Sequence, residues 1–320
     1  GRMAHIPPTM GLEDLDKILP QLVDRGLPDG GEFLLAELKE DERTLNMIAL
    51  LIWHGFLPMG GMGMLLPKIH KERCILAPGD VHVGKKVRRR AREGFHLTVN
   101  QAWLAVIKGV QEHTFTSQKG DCWLSDELAR AYKTVKRAGG QWHREDVAFH
   151  SVELWHTASG KLVAGEIGCT CGSVYSSYTG FALKEEYPGA GSVQLVALGT
   201  WLARCGFAIW DLGMELEYKL ELGGRPVPRN EWARRIRSLR YQDTELSMPK
   251  GAEADAGELL AGKVGAATEA ATGSAAKAKA KAEPKASAKA TAKGTAKATA
   301  TAKAKASATA QTMVNPYAGY

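Results

Sequence analysis

The sequence predicts an α+β fold with a mixed, largely antiparallel sheet, a small N-terminal α+β domain ahead of it and an Ala/Lys-rich tail behind. Three observations carry this. Residues 147–155 and 161–168 read as strands joined by Thr157-Ala158-Ser159-Gly160, a strong hairpin signal, and residues 172–181, rich in Tyr, Ser and Thr, continue as a third. An apolar helix over 192–204 then feeds a further strand at 207–210. From about residue 250 to 312 the chain is built of Ala, Lys, Thr and Ser, and is expected to be disordered for want of a core.

At 320 residues the chain is long enough for one large domain or two. Its net charge is +7, but residues 277–305 carry nine lysines and one glutamate, so the rest sums to −1. The basic character belongs to the tail, and inferences about the folded part rest on local patches. The five cysteines (74, 122, 169, 171 and 205) are odd in number and scattered, and Cys169-Thr170-Cys171 has the wrong spacing for a zinc knuckle. Reduced core cysteines in a cytoplasmic protein, with no metal, are expected. No signal peptide is visible, although a start at Gly1 leaves an upstream targeting segment open. The most apolar window, 47–67, is interrupted by His54, Pro58 and four glycines, so no membrane span is expected.

Residues 1–40 offer only a short helix around 12–23, broken by Pro20. Residues 41–54 read as an amphipathic helix with Leu45, Ile48, Leu51 and Ile52 at helical spacing and Gly55 as its stop. A Gly/Met loop at 60–64 and a short strand at 73–77 follow. Lys85, Lys86, Arg88, Arg89, Arg90 and Arg92 put six cations into eight residues. They are either a solvated surface run or localisation signal, or a phosphate-binding patch. Residues 95–99 alternate like a strand, after which Asn100 is placed to cap a helix over 101–113. Ser125 is placed to cap another over 126–138, stopped by Gly139-Gly140, with Trp123 just ahead of it. A basic helix over 230–239 closes the folded part, with Arg234, Arg235, Arg237 and, just beyond, Arg240.

Chemistry is expected around 206–224. The apolar strand 207–210 ends on Asp211, Glu215 and Glu217 follow within six residues, and Gly223-Gly224 closes the loop. Open sheets place reacting groups just beyond the carboxyl ends of strands. Asp211 is therefore either a cap for the next turn or a functional carboxylate.

From Gly55 to Arg240 the chain resembles the leucyl/phenylalanyl-tRNA–protein transferases. The family pattern G-I-F-P-W is matched by Gly55-Phe56-Leu57-Pro58-Met59, and its Trp-Ile before a helix by Trp123-Leu124. His150-Ser151-Val152-Glu153-Leu154-Trp155 keeps H-S-I/V-E-x-W intact, and Leu162-Val163-Ala164-Gly165-Glu166-Ile167-Gly168 follows L-V-G-G-x-Y-G. D-C-Q appears as Asp211-Leu212-Gly213, and S-L-G-A as Glu221-Leu222-Gly223-Gly224, with Pro228-Arg229 shared. Order and spacing over about 185 residues make the resemblance specific, although no single match is. Two groups of the family's amine site differ: its Gln is Gly213 here, and the Glu of G-E-S-M-F is Tyr178.

The resemblance implies a GNAT-like acyltransferase core. It divides the chain into an N-terminal extension (1–40), a small N-terminal domain with the basic helix (41–94), the aminoacyltransferase domain (95–245) and the tail (246–320). The implied reaction moves Leu, Phe or Met from aminoacyl-tRNA to a protein beginning with Lys or Arg, marking it for degradation, without a cofactor. Asp211 would be catalytic. Trp123 would stack the terminal adenine, and Met59, Glu166, Tyr175, Tyr178 and Phe181 would line the donor pocket. Glu215 and Glu217 would bind the acceptor, and the cluster from Lys85 to Arg92 the tRNA. The tail would add nonspecific nucleic-acid affinity. Leu162, Ala164 and Glu166 share one strand face, and the family has an apolar residue at the position of Glu166. Glu166 either turns outward or pairs with a cation, or else changes donor choice in a pocket beside Tyr175 and Phe181. Two other functions compete. Glu186-Tyr187-Pro188-Gly189-Ala190-Gly191 resembles the loop by which GNAT enzymes hold the pyrophosphate of CoA, though Glu185 and Glu186 place negative charge there. A non-catalytic aminoacyl-tRNA or RNA-binding protein is the other.

Overall fold

The protein is described from a computed structural model covering residues 4–28, 30–118, 122–135 and 147–262. The chain opens with β1 (Ala4–His5), α1 (Leu12–Arg25), β2 (Leu34–Glu37), α2 (Glu42–Trp53), β3 (Leu57–Gly61) and β4 (Met64–Lys68). Among the described residues these strands form a four-stranded sheet in the order β1-β2-β4-β3. Pro20 does not break α1 as expected. Leu15, Leu19 and Val23 anchor one buried face on both sides of it, and this packing outweighs the lost donor. Asp41 caps α2 by accepting the Thr44 N–H at 2.7 Å. The helix is not amphipathic, because every residue from Met47 to Trp53 is buried. The expected Gly/Met loop is a hairpin between β3 and β4. Met62 and Gly63 take its two positive-φ positions, at 52° and 71°, as a two-residue turn of matching twist requires.

The remaining elements are β5 (Glu72–Leu76), α3 (Lys85–Ala91), β6 (Phe95–Val99), α4 (Trp103–Gln118), α5 (Asp126–Thr134) and β7 (Val147–His156). They continue with β8 (Lys161–Cys171), β9 (Val174–Ala182), α6 (Ala190–Arg204), β10 (Ile209–Gly213) and α7 (Glu217–Glu221). β11 (Arg225–Pro228), α8 (Arg229–Leu239), β12 (Ala254–Asp255) and α9 (Ala256–Ala261) complete them. Their strands form an eight-stranded sheet in the order β11-β5-β10-β9-β8-β7-β6-β12. β6 to β9 are an antiparallel meander, α6 crosses over, and β10 returns parallel to β9 and antiparallel to β5. This is the mixed, largely antiparallel α+β sheet expected, with its parallel pair around the α6 crossover. α3, α6 and α9 pack on one face of it. α2, α4, α5 and α8 pack on the other.

Two local expectations fail, and a third is met as far as the described residues go. Asn100 does not cap α4; at φ 60° its side chain accepts the Ser151 N–H at 3.2 Å, and the Ala102 N–H goes instead to Glu153 at 3.1 Å. α4 accordingly starts at Trp103. Ser125 does cap α5, accepting the Leu128 N–H at 3.2 Å, but the helix ends at Thr134, and residues 136–146 lie outside the described residues. The start of the expected disordered tail is folded: β12 pairs with β6, and Ala256, Leu259 and Leu260 form the buried face of α9. The lysine-rich part of the tail lies outside the described residues.

Candidate active site

β10 runs between β5 and β9, which puts the Asp211 side chain near the middle of the sheet with only 1 % of the residue exposed. Asp211 lies within the strand, not beyond its end, because a register shift at Gly213 (φ 76°) carries the pairing past it. Oδ2 accepts from Arg73 Nη2 at 2.5 Å and from Ser176 Oγ at 3.0 Å, and Oδ1 accepts the Gly213 N–H at 2.9 Å. Asp211 thus holds its own turn and also reaches across to β5.

The Arg73 guanidinium lies 4.9 Å from the Trp232 ring and donates to His70 Nδ1 at 2.7 Å. Arginine has no acceptor, so Nδ1 carries the lone pair, and in the neutral ring Nε2 carries the proton. Burial, then the charges of Arg73, Lys68 and Lys219, hold the His70 pKa well below its ordinary value. Arg73 Nε is buried without a hydrogen-bond partner among the described residues. Two lysines close the turn. Lys219 Nζ donates to the Leu212 and Met214 carbonyls at 2.5 and 2.9 Å, and Lys68 Nζ approaches Met214 Sδ at 3.5 Å. Sequence reasoning missed Lys68, His70, Arg73 and Lys219. Arg73 and Asp211 are 138 residues apart, and only the β5–β10 pairing brings them together.

The expected donor-pocket residues divide between the two faces of the sheet. On the Asp211 face, Tyr132 stacks on Phe149 at 3.8 Å and Tyr178 meets Phe149 edge-on at 5.6 Å. The Tyr132 hydroxyl donates to the Pro58 carbonyl, tying this cluster to β3 and hence to Met59. Trp123 packs against the same core, its backbone lying over Gly60. Phe181 fills the space left by Gly109 of α4. Burial pushes the Tyr178 phenol well above its ordinary pKa, so it stays a neutral donor.

Glu166 and Tyr175 are on the α6 face. Glu166 accepts from Tyr175 Oη at 2.9 Å, Ser177 Oγ at 2.7 Å and Gln194 Nε2 of α6 at 3.2 Å. Gly168 makes room, since a side chain there would collide with the Tyr175 phenol. The expected pocket joining Glu166 to Phe181 is therefore not formed. Gly168 pairs with Ser177 and Ile167 with Thr179, so Tyr178 is an extra residue that reverses the alternation. Glu166 neither turns outward nor hydrogen-bonds a cation. Burial raises its pKa despite the three bonds.

Glu215 and Glu217 are exposed, in the turn after β10 and at the start of α7. Lys85, Lys86, Arg88, Arg89 and Arg92 are exposed on or just after α3, while Arg90 pairs with Glu93 at 2.5 Å. α3 covers the α6 face, across the sheet from the Asp211 carboxylate. In the loop before α6, Glu186 pairs with Lys161, and Gly189 (φ 84°) leads into the helix.

A mixed sheet with an α6 crossover, carrying a buried carboxylate on the returning strand, defines an α+β protein. Within that class, residues 75–237 match the family described as leucyl/phenylalanyl-tRNA protein transferase, and the chain belongs to that family. The leucyl/phenylalanyl-tRNA–protein transferase of Thiobacillus denitrificans is 29 % identical over 170 residues, covering 52 % of this chain and 67 % of that protein. Its counterpart in Paracoccus denitrificans is 28 % identical over 165 residues, 51 % of this chain and 69 % of that protein. Among solved structures, FemX shows a loose likeness, with a TM-score of 0.35 and 11 % identity over 68 % of this chain and 75 % of that one. No helix among the described residues is long and apolar enough to cross a membrane.

Proposed function

We propose that this chain transfers an aminoacyl group from aminoacyl-tRNA to the N-terminal amine of a protein. The observation that carries the reading is the buried Asp211, held by Arg73, Ser176 and the Gly213 N–H inside the region that matches the family. The amine attacks the ester carbonyl, a C–N bond forms, the bond to the ribose oxygen breaks, and the amine proton leaves with that oxygen. An α-amine has a pKa of about 7.7–8.0, so roughly a tenth is neutral near pH 7 without a strong base. Positioning then supplies most of the acceleration. Asp211 suits this task. Oδ2 is occupied twice, and the remaining lone pair on Oδ1 is free to orient the amine. The neutral Tyr178 hydroxyl and the His70 Nε2–H are donors on the same face for the developing oxyanion.

In this reading Trp123 stacks the terminal adenine, and Met59, Tyr178 and Phe181 line the donor side chain. Glu215 and Glu217 face the cationic side chain of an acceptor beginning with Lys or Arg. Residues 41–94 and 95–245 act as the tRNA-guiding and transferring parts, and α3 and the lysine-rich tail add phosphate contacts. Leu, Phe or Met is the donor group, the product is marked for degradation, and the cytoplasm is the location this implies.

Incubating the protein with labelled aminoacyl-tRNA, labelled acetyl-CoA and an Arg-initiated peptide tests the proposal. The aminoacyl label should move to the peptide. Transfer of acetyl instead, or retention of charged tRNA with no transfer, overturns it. Asp211→Asn, checked by melting curve, should lower turnover at least about tenfold with little change in tRNA binding. Equal turnover would reduce Asp211 to a cap for Gly213.

A further inference from the structure

The turn from Asp211 to Met214 is held from behind by a buried charge. Lys219 lies in α7 with 8 % of its surface exposed, and its Nζ donates to the Leu212 carbonyl at 2.5 Å and to the Met214 carbonyl at 2.9 Å. Those two carbonyls flank Gly213, whose N–H donates to Asp211 Oδ1 at 2.9 Å. One ammonium therefore fixes the peptide group that carries the Gly213 N–H and, one residue further on, the carbonyl of Met214. An ammonium this deep carries a desolvation cost, and an apolar side chain would fill the place without it.

We propose that Lys219 is a positioning residue for the transfer, clamping Leu212 and Met214 so that the Gly213 N–H holds Asp211 in place for the incoming amine. This rests on Asp211 being the group that orients the amine. The groups acting on Nζ come from every element around it: Arg73 and Cys74 of β5, His70 just before that strand, Asp211 of β10 and Glu166 of β8, with the Tyr218 ring at 5.6 Å. Burial is the largest effect and, with Arg73, opposes the charged form, bringing the pKa down to about 8, while Cys74, Asp211 and Glu166 favour it. The clamp is thus largely charged at neutral pH and weakens above pH 8, where the bonds to the carbonyls are no longer charge-assisted.

The test compares wild type, Lys219→Met and Lys219→Arg for peptide transfer between about pH 6.5 and about 9.5, with melting temperature and hydrogen exchange at the Gly213 amide measured alongside. Wild-type turnover should rise as the acceptor amine deprotonates and fall again above about pH 8. Lys219→Met should lower kcat about tenfold with KM for tRNA unchanged, lose the alkaline fall and speed Gly213 exchange about tenfold. Lys219→Arg, always charged, should keep most of the activity and move the fall to higher pH. Wild-type kcat and Gly213 exchange in Lys219→Met, or the same alkaline fall in both, would overturn the clamp. If wild type transfers nothing, the proposed function fails, and Gly213 exchange still decides whether Lys219 holds the turn.

Discussion

Two carboxylates are buried on opposite faces of one sheet, and their partners differ in kind. Asp211 meets a guanidinium at 2.5 Å, with two lysines around its turn. Glu166 meets two hydroxyls and an amide, all neutral. Removal from water raises a carboxyl pKa unless an opposite charge or enough hydrogen bonds oppose it, and at Glu166 three bonds do not suffice. The Asp211 face is therefore built around charge. On the other face Glu166 is a hub joining β8, β9 and α6, extended by Trp210 Nε1 donating to Ser177 at 2.8 Å. Burial alone does not distinguish the two carboxylates; the guanidinium beside Asp211 does.

The contrast breaks most readily at Arg73. Arg73→Met leaves Asp211 buried without its cation, and should cost about 3–5 kcal/mol in chemical denaturation. Adding Asp211→Asn should recover much of that loss, because the uncompensated charge goes with it. If the single substitution costs less than about 1 kcal/mol, the pair is worth no more than an exposed one and the charged character of this face falls.

The sequence showed the sheet better than it showed the site. The 147–181 meander was legible because alternation and a four-residue turn are local signals. The best-preserved motif, His150 to Trp155, is scaffold: Glu153 binds Thr98 at 2.6 Å and the Ala102 N–H, and the Trp155 indole donates to Thr98 at 2.8 Å. Asp211 stood out as a carboxylate on a strand. Its partner Arg73 did not, because strand pairing over 138 residues leaves no local trace. Alternation also failed at Tyr178, where one extra residue in β9 sends Phe181 to the opposite face from Glu166. Nothing in the 206–224 stretch singled out Lys219, and only its burial distinguishes it.

A smaller effect tests whether the α6 face also serves the tRNA. Replacing Lys85, Lys86, Arg88, Arg89 and Arg92 by Gln should weaken tRNA binding about tenfold. It should also lower the slope of log affinity against log salt, by about 0.7–0.9 for each phosphate no longer neutralised. Truncation after Gly262 should likewise flatten the slope while leaving transfer at low salt intact. An unchanged slope in both would confine tRNA binding to the Asp211 face.

The smallest effect concerns Glu166, where the sign of a pH dependence separates the faces. Its folded-state pKa is raised above the ordinary 4.5, so the folded protein keeps this proton to higher pH than the unfolded chain does. The stability it contributes is present below the unfolded value and is lost as pH rises through the folded one. Each unit of difference is worth about 1.4 kcal/mol. Glu166→Gln keeps an oxygen for Tyr175 and Ser177 and cannot ionise. Its melting temperature should therefore fall below that of wild type, or match it, in mild acid and gain on wild type as pH rises toward neutral. The opposite trend would mean that Glu166 is held as a carboxylate. Because the side chain lies across the sheet from Trp123, Tyr178 and Phe181, Glu166→Met in a mixed pool of aminoacyl-tRNAs should leave the donor ratio within about twofold of wild type. A larger change would put Glu166 back in the donor pocket and show that the two faces act as one site.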